Sequence, residues 1–349
     1  MKEAMLVLEN GQVFKGLSFG AEGECFGEVI FNTNMMGYQE LITEPAYCDN
    51  IVVMSYPLIG NYGVNKIDMN SAKVYLSGLV VEEYSKIASN WLAYDNLSNF
   101  MKRHKIIGIE GIDTRYLVRL IRNSGTLKGA ITTKKQDIKS LIKRIKEKDV
   151  DSLIDKVSCK KIYSWNKRGK SKKLAVVVDL GTNFTLLNWL ADNKFRVKVV
   201  PYTIDYKRIL AMKPEIVVFS NGCGNPTKYK SIINMAEEII GKEPIFGFGL
   251  GGIILGIALG ARAYKMKYGH HGSNYPVRDI KKGTTSLTVQ DHIYCLKDNS
   301  ITKDNEIISI NMNDDTVEGF QSKRYKVLGL NYLPETLPIG EEKTYAKKA

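Results

Sequence analysis

Apolar and polar positions along the 349-residue chain fall into two regimes. In the first 150 residues, short apolar or alternating runs dominate: Met5–Leu8, Val13–Phe14, Glu28–Asn32, Ile51–Ser55 and Lys73–Val81. Gly and Asn punctuate them, as expected between strands. Asp113 can cap a helix in which Leu117, Leu120 and Ile121 share a face, and a strongly basic helix is predicted near Gln136–Lys148. This part reads as a mixed domain, strands first and helices later. From Lys172 the pattern changes. Buried-strand runs at Leu174–Val178, Val197–Pro201, Glu215–Phe219 and Pro244–Phe248 alternate with helical spacing at Phe184–Ala191, Ile204–Met212, Thr227–Ile240 and Leu250–Leu259. Four strand–helix alternations with short connections predict an α/β, doubly wound, mostly parallel sheet. The expected organisation is a mixed β/α domain over residues 1–150, a linker over 151–171 and the doubly wound domain over 172–349.

Composition adds limits rather than a function. Hydrophobic residues at 44% and charged residues at 25% suit a globular protein with a sizeable core. The formal net charge of +13 raises the question of nucleic acid. Its densest cluster, Lys156 to Lys173, holds eight basic residues and no acidic one, but also Gly169 and three serines. It reads as a solvated linker or a face for an acidic partner protein; without a recognition motif, nucleic acid is not expected. No apolar run is long enough to span a bilayer, and the opening stretch carries Glu3 and Glu9 and does not read as a signal peptide, so the expected location is the cytoplasm. Cys25, Cys48, Cys159, Cys223 and Cys295 lie far apart without a CxxC pair, which predicts free thiols. No metal site is expected.

Two glycine turns follow strands of the second domain, at the sheet end where ligands of such folds sit. The first is Ser220-Asn221-Gly222-Cys223-Gly224-Asn225-Pro226. It is equally a loop whose N–H groups face an anion and a plain strand-to-helix turn. The second, Phe246-Gly247-Phe248-Gly249-Leu250-Gly251-Gly252, runs from a strand through a sharp turn into a helix. That is the form of a nucleophile elbow, whose central residue would be Cys or Ser. Here it is Gly249, which offers no nucleophile. The spacing is not that of a dinucleotide fingerprint, and no acidic ribose partner follows.

Longer segments carry a family resemblance. GEVIFNTNMMGYQELITEPAY, SYPLIGNYG, GIEGIDTRYLVRLIR, the YSW at Tyr163–Trp165 and ALGARAYKMKYGHHGSNYPV at Ala258–Val277 occur in order over nearly the whole chain. They closely resemble the small subunit of carbamoyl-phosphate synthetase. The resemblance implies a class I glutamine amidotransferase domain, preceded by an N-terminal domain that packs on the large subunit of the synthetase. It implies a Cys-His-Glu triad that hydrolyses glutamine through a thioester, and a tunnel that delivers ammonia. The large subunit then makes carbamoyl phosphate for the arginine and pyrimidine pathways. ATP, bicarbonate and Mg would belong to that large partner, and no cofactor is expected in this chain. A heterodimer or higher hetero-oligomer is implied.

Carried over residue by residue, the catalytic pattern breaks. The family's elbow FGICLGHQ reads FGFGLGGI, so Gly249 stands for the nucleophile, Gly252 for a histidine and Ile253 for the glutamine. The family's HPE reads Leu333-Pro334-Glu335, leaving Glu335 alone of the triad. NHG before an aromatic becomes Asp291-His292-Ile293-Tyr294, and a serine that reaches the substrate becomes Ala46. GPGDP reads Gly222-Cys223-Gly224-Asn225-Pro226, and DFGAKRN reads Asp179-Leu180-Gly181-Thr182-Asn183-Phe184-Thr185. Gly222, Gly224, Leu250 and Tyr294 remain at substrate-binding positions. The resulting expectation is a small subunit unable to hydrolyse glutamine. The alternatives are a relocated nucleophile at Cys223, served by His292, His270 or His271, and a regulatory or scaffolding paralogue.

Overall fold

The structure is a computed structural model and describes residues 2–165 and 172–333. The chain divides into two compact units, Met1–Val150 and Asp151–Ala349.

In the first unit seven strands close into a barrel, in the order Lys2–Leu8, Val13–Ser18, Ile107–Glu110, Gly78–Val80, Asn50–Met54, Glu24–Asn32 and Leu127–Thr132. Antiparallel pairing of Lys2–Leu8 with Leu127–Thr132 completes the ring. Closure removes the exposed edge of the sheet. It depends on partners far apart in sequence, which is why local pattern shows the strands but not the ring. Phe19, Ile30, Tyr38, Val52, Leu79, Phe100 and Met101 belong to one buried cluster. The expected helix after Asp113 spans Thr114–Ser124, and the Asp113 carboxylate accepts from the Tyr116 N–H at 2.8 Å. The basic helix spans Ile138–Glu147 and turns Leu141 and Ile145 onto Val7 and Ala130. Its lysines fall on the opposite, solvated face, as amphipathic spacing requires.

The second unit contains a ten-stranded sheet. Five neighbouring strands are parallel: Arg196–Pro201, Leu174–Asp179, Ile216–Phe219, Ile245–Phe248 and Val327–Leu330. Val176, Val177, Val178, Val217 and Val218 are fully buried, so these short runs are apolar on both faces. Helices Phe184–Asp192, Tyr206–Ala211, Lys230–Ile239 and Leu250–Ala258 fall where the spacing places them. Beyond Val327–Leu330 the sheet continues antiparallel through Val317–Ser322, Glu306–Asn311, Ala263–Asp279 and Thr285–Leu296. The sequence pattern does not reveal this half. The long strand Ala263–Asp279 carries His and Gly on both faces, and its pairing with Thr285–Leu296 has two register shifts, so no clean period of two survives.

The stretch expected as a linker is structured over its described part. Ile154–Val157 is helical, the Cys159 N–H donates to Asp179 Oδ2 at 2.7 Å, and Tyr163–Ser164 pairs antiparallel with Lys198–Val199. Trp165 donates from Nε1 to Asn188 at 2.9 Å and packs against Phe184 with the rings 4.9 Å apart. Residues 151–165 thus belong to the second unit; 166–171 lie outside the described residues. Among the described residues no helix is long and apolar enough to cross a membrane.

Candidate active site at the strand-to-helix elbow

Strand Ile245–Phe248 ends at Gly249, and helix Leu250–Ala258 starts one residue later. Gly249 has φ 52° and ψ −120°, a backbone state that costs a side-chain-bearing residue about 1–3 kcal/mol. Two hydrogen bonds anchor the turn. The Gly249 N–H donates to Leu330 O at 2.8 Å, and the Gly251 N–H donates to Ser220 O at 3.1 Å. Both acceptors follow or end neighbouring parallel strands, so the elbow sits at the carboxyl end of the sheet. The backbones approach so closely that side chains do not fit. A Cβ on Gly251 would lie 2.2 Å from Phe219 O, and one on Gly252 would lie 2.8 Å from Leu330 O. At Gly249 a Cβ would point to Asn221, 3.3 Å from its Cβ.

The first glycine loop folds onto this elbow. A Cβ on Gly222 would meet Leu180 O at 2.1 Å and Leu250 Cδ2 at 3.0 Å, so the loop backbone lies on the first residue of the elbow helix. Gly224 takes φ 91°. The Tyr229 hydroxyl lies 3.0 Å from both Cys223 O and Asp151 O and accepts the Leu153 N–H at 3.2 Å, which fixes the loop from behind. The structure therefore brings Gly222 and Leu250 together beside Gly249. It adds Asn221, which directly flanks Gly249 and lies in the same glycine loop. It also adds the Leu330 carbonyl, a backbone group that no side-chain pattern announces.

The remaining positions are apolar or engaged. Ile253 is buried in the helix, and Leu333 is buried with its N–H directed to Val289 O at 3.4 Å. Leu333, expected from the resemblance to stand at the position of the base, offers only a hydrocarbon side chain. Glu335 lies outside the described residues. Asp291 pairs in register with His271, and Tyr294 with Lys265. Ala46 lies in the first unit, in the turn Pro45–Tyr47, where its N–H donates to Glu44 Oε1 at 3.3 Å.

The histidines considered as bases for Cys223 are buried among other polar groups. His270 lies between Asp314 Oδ2 at 2.9 Å and Glu318 Oε1 at 3.1 Å. Burial alone would lower its pKa, but the two carboxylates outweigh this and raise it to about 9. His292 contacts Tyr294 O at 3.0 Å and Gln290 Oε1 at 3.2 Å. Burial, reinforced by its two histidine neighbours, drives His271 down to about 3. Glu318 is held at about 2, since the adjacent imidazoles of His270 and His292 overcome the cost of burial. Burial pushes the thiols of Cys25 and Cys159 up to about 12, so neither is a ready nucleophile at neutral pH.

Comparison with known proteins follows these two units. Residues 6–131 match the model of the carbamoyl-phosphate synthase small chain, CPSase domain, and residues 176–349 match that of class-I glutamine amidotransferases. The chain is 41% identical to the carbamoyl phosphate synthase small chain of Aquifex aeolicus, over 99% of this chain and 97% of that one. It is also 41% identical to the pyrimidine-specific small chain of Bacillus subtilis, over 97% of this chain and 92% of the relative. Among solved structures, a glutamine amidotransferase from Thermotoga maritima aligns with a TM-score of 0.38 at 16% identity, covering 50% of this chain and 85% of its own.

Proposed function

Because the chain belongs to the carbamoyl-phosphate synthase small-chain family and carries a class-I glutamine amidotransferase domain, we propose that it serves a large synthase chain as a small subunit that does not hydrolyse glutamine. The observation that carries this reading is Gly249 at the elbow. Amide hydrolysis through a thioester requires a thiolate at the elbow and a base to take up and return a proton. Gly249 supplies no sulfur and Leu333 accepts no proton. Both outer contacts of the His270 and His292 rings are taken by carboxylate, carbonyl or amide oxygens. On this reading the small chain stabilises its partner, which takes ammonia from solution. ATP, bicarbonate and Mg bind to the large chain, and the carbamoyl phosphate formed enters arginine and pyrimidine synthesis.

The same geometry weighs against a nucleophile at Cys223. Its loop backbone is fixed by Tyr229 and the side chain is buried. Displacement of a nucleophile by even about 1 Å is expensive in rate, on the order of a hundredfold. Glutamate release from glutamine by the co-purified pair tests the point. The expected rate equals that of the protein-free control, and Cys223→Ser leaves it there. Release that Cys223→Ser abolishes would establish an active glutaminase instead.

A further inference from the structure

Away from the elbow, three strands of the antiparallel half converge on one buried group of ligating side chains. Strand Ala263–Asp279 provides His270, Thr285–Leu296 provides His292, and Val317–Ser322 provides Glu318. The side chains are 3%, 7% and 0% exposed, and one donor atom of each lies within 4.8 Å of the others. Antiparallel pairing sets His270 directly opposite His292, with the rings 5.1 Å apart and crossed at 78°. The Glu318 carboxylate faces both: Oε1 is 3.1 Å from His270 Nδ1, and Oε2 is 3.6 Å from His292 Nε2. A tetrahedral ion with bonds of about 2.1 Å holds its donors about 3.4 Å apart, between these two distances.

Two features point to a cation at the centre. Glu318 Oε1 accepts from Asn311 Nδ2 at 2.9 Å, whereas Oε2 is buried and receives no hydrogen bond among the described residues. A buried carboxylate oxygen without a donor is a costly group. The second feature is the orientation of His292. Thr288 Oγ1 donates to Tyr275 O, Gln290 Nε2 donates to Thr288 Oγ1, and Gln290 Oε1 is thereby turned towards His292 Nε2 at 3.2 Å. His292 Nδ1 lies 3.0 Å from the Tyr294 carbonyl oxygen and 3.1 Å from Asn331 Nδ2. Nε2 faces two oxygens, Gln290 Oε1 and, at 3.6 Å, Glu318 Oε2. The outer nitrogens are oriented as in metal centres. Nε2 of His270 meets the Asp314 carboxylate at 2.9 Å, and Nδ1 of His292 meets a backbone carbonyl; metal-binding imidazoles are fixed by such contacts.

We propose that His270 Nδ1, His292 Nε2 and the Glu318 carboxylate bind one divalent transition-metal ion of the zinc class, with Gln290 Oε1 as the fourth donor. Two imidazoles and two oxygens suit zinc, cobalt(II) or nickel(II) rather than magnesium or calcium, which favour all-oxygen shells. The role is structural. The ion joins three strands, and Val317–Ser322 pairs directly with Val327–Leu330, whose Leu330 carbonyl anchors the elbow. Sequence spacing gives no such signal because the ligands come from three separate strands.

The test uses the full chain, stripped with chelator and titrated with cobalt(II) and zinc. The expected result is one equivalent per chain, the visible bands of four-coordinate cobalt without thiolate charge transfer, and a raised melting midpoint with zinc. His292→Gln and Glu318→Gln should each lose at least tenfold in affinity, while Cys295→Ser retains it. A stripped wild-type chain with native circular dichroism that takes up less than one equivalent at micromolar free metal overturns the proposal, whatever the variants do. Charge-transfer bands that vanish in Cys295→Ser would overturn it as well, by placing the metal on a thiol.

Discussion

Gly249 holds φ 52° and ψ −120° next to Asn221, and this one residue separates two ideas about the elbow. A turn kept for catalysis would keep its nucleophile despite strain; a turn kept as packing loses nothing by becoming glycine. Gly249→Ala therefore lowers stability by about 1–3 kcal/mol, measured by denaturant titration, because the added Cβ is strained and meets Asn221 at 3.3 Å. Gly249→Cys carries the same penalty and forms no thioester with glutamine, since Leu333 cannot take the proton and Ile253 offers the substrate only hydrocarbon. Gly252 deepens the point. A side chain there would meet the Leu330 carbonyl at 2.8 Å, so the histidine of the resembled family does not fit without movement of the strand Val327–Leu330. On the proposed reading, substitution at the elbow has gone beyond one missing side chain.

At the scale of elements, the turns that matter are legible because they are local. The apolar runs of the parallel core and the helix spacing after each put all four strand–helix pairs in place within a few residues. Asp113 caps its helix as its chemistry suggests. Asn183, notable in the sequence only for its place in a motif, caps the helix Phe184–Asp192 by accepting the Leu186 N–H at 3.0 Å. Asn183→Ala should cost about 1–2 kcal/mol in a denaturant titration, more than a typical exposed cap because the site is fully buried. What the sequence does not show is non-local. Barrel closure joins Lys2–Leu8 to Leu127–Thr132, and the strand carrying His270 pairs through shifted registers. The buried cluster of His270, His292 and Glu318 is invisible for the same reason, since only the sheet order brings these residues together. Charge alone makes the basic stretch read as a linker. It does not report that Tyr163–Ser164 adds to a sheet edge while Trp165 packs on Phe184.

For the whole molecule, the proposed function means that scaffold and chemistry have separated. Both units match their family models across most of their length, and relatives align over nearly the full chain. On the proposed reading, the positions that the family resemblance assigns to glutamine hydrolysis, Gly249, Leu333, Ile253 and Ala46, have lost their chemistry. On that reading the chain is kept for its partner. The most direct measurement is carbamoyl phosphate synthesis by the reconstituted small-chain and large-chain pair, with glutamine or ammonium chloride as the only nitrogen source. Synthesis with ammonium and none above background with glutamine is the predicted result. Glutamine-driven synthesis at a rate comparable to the ammonium-driven one would contradict it.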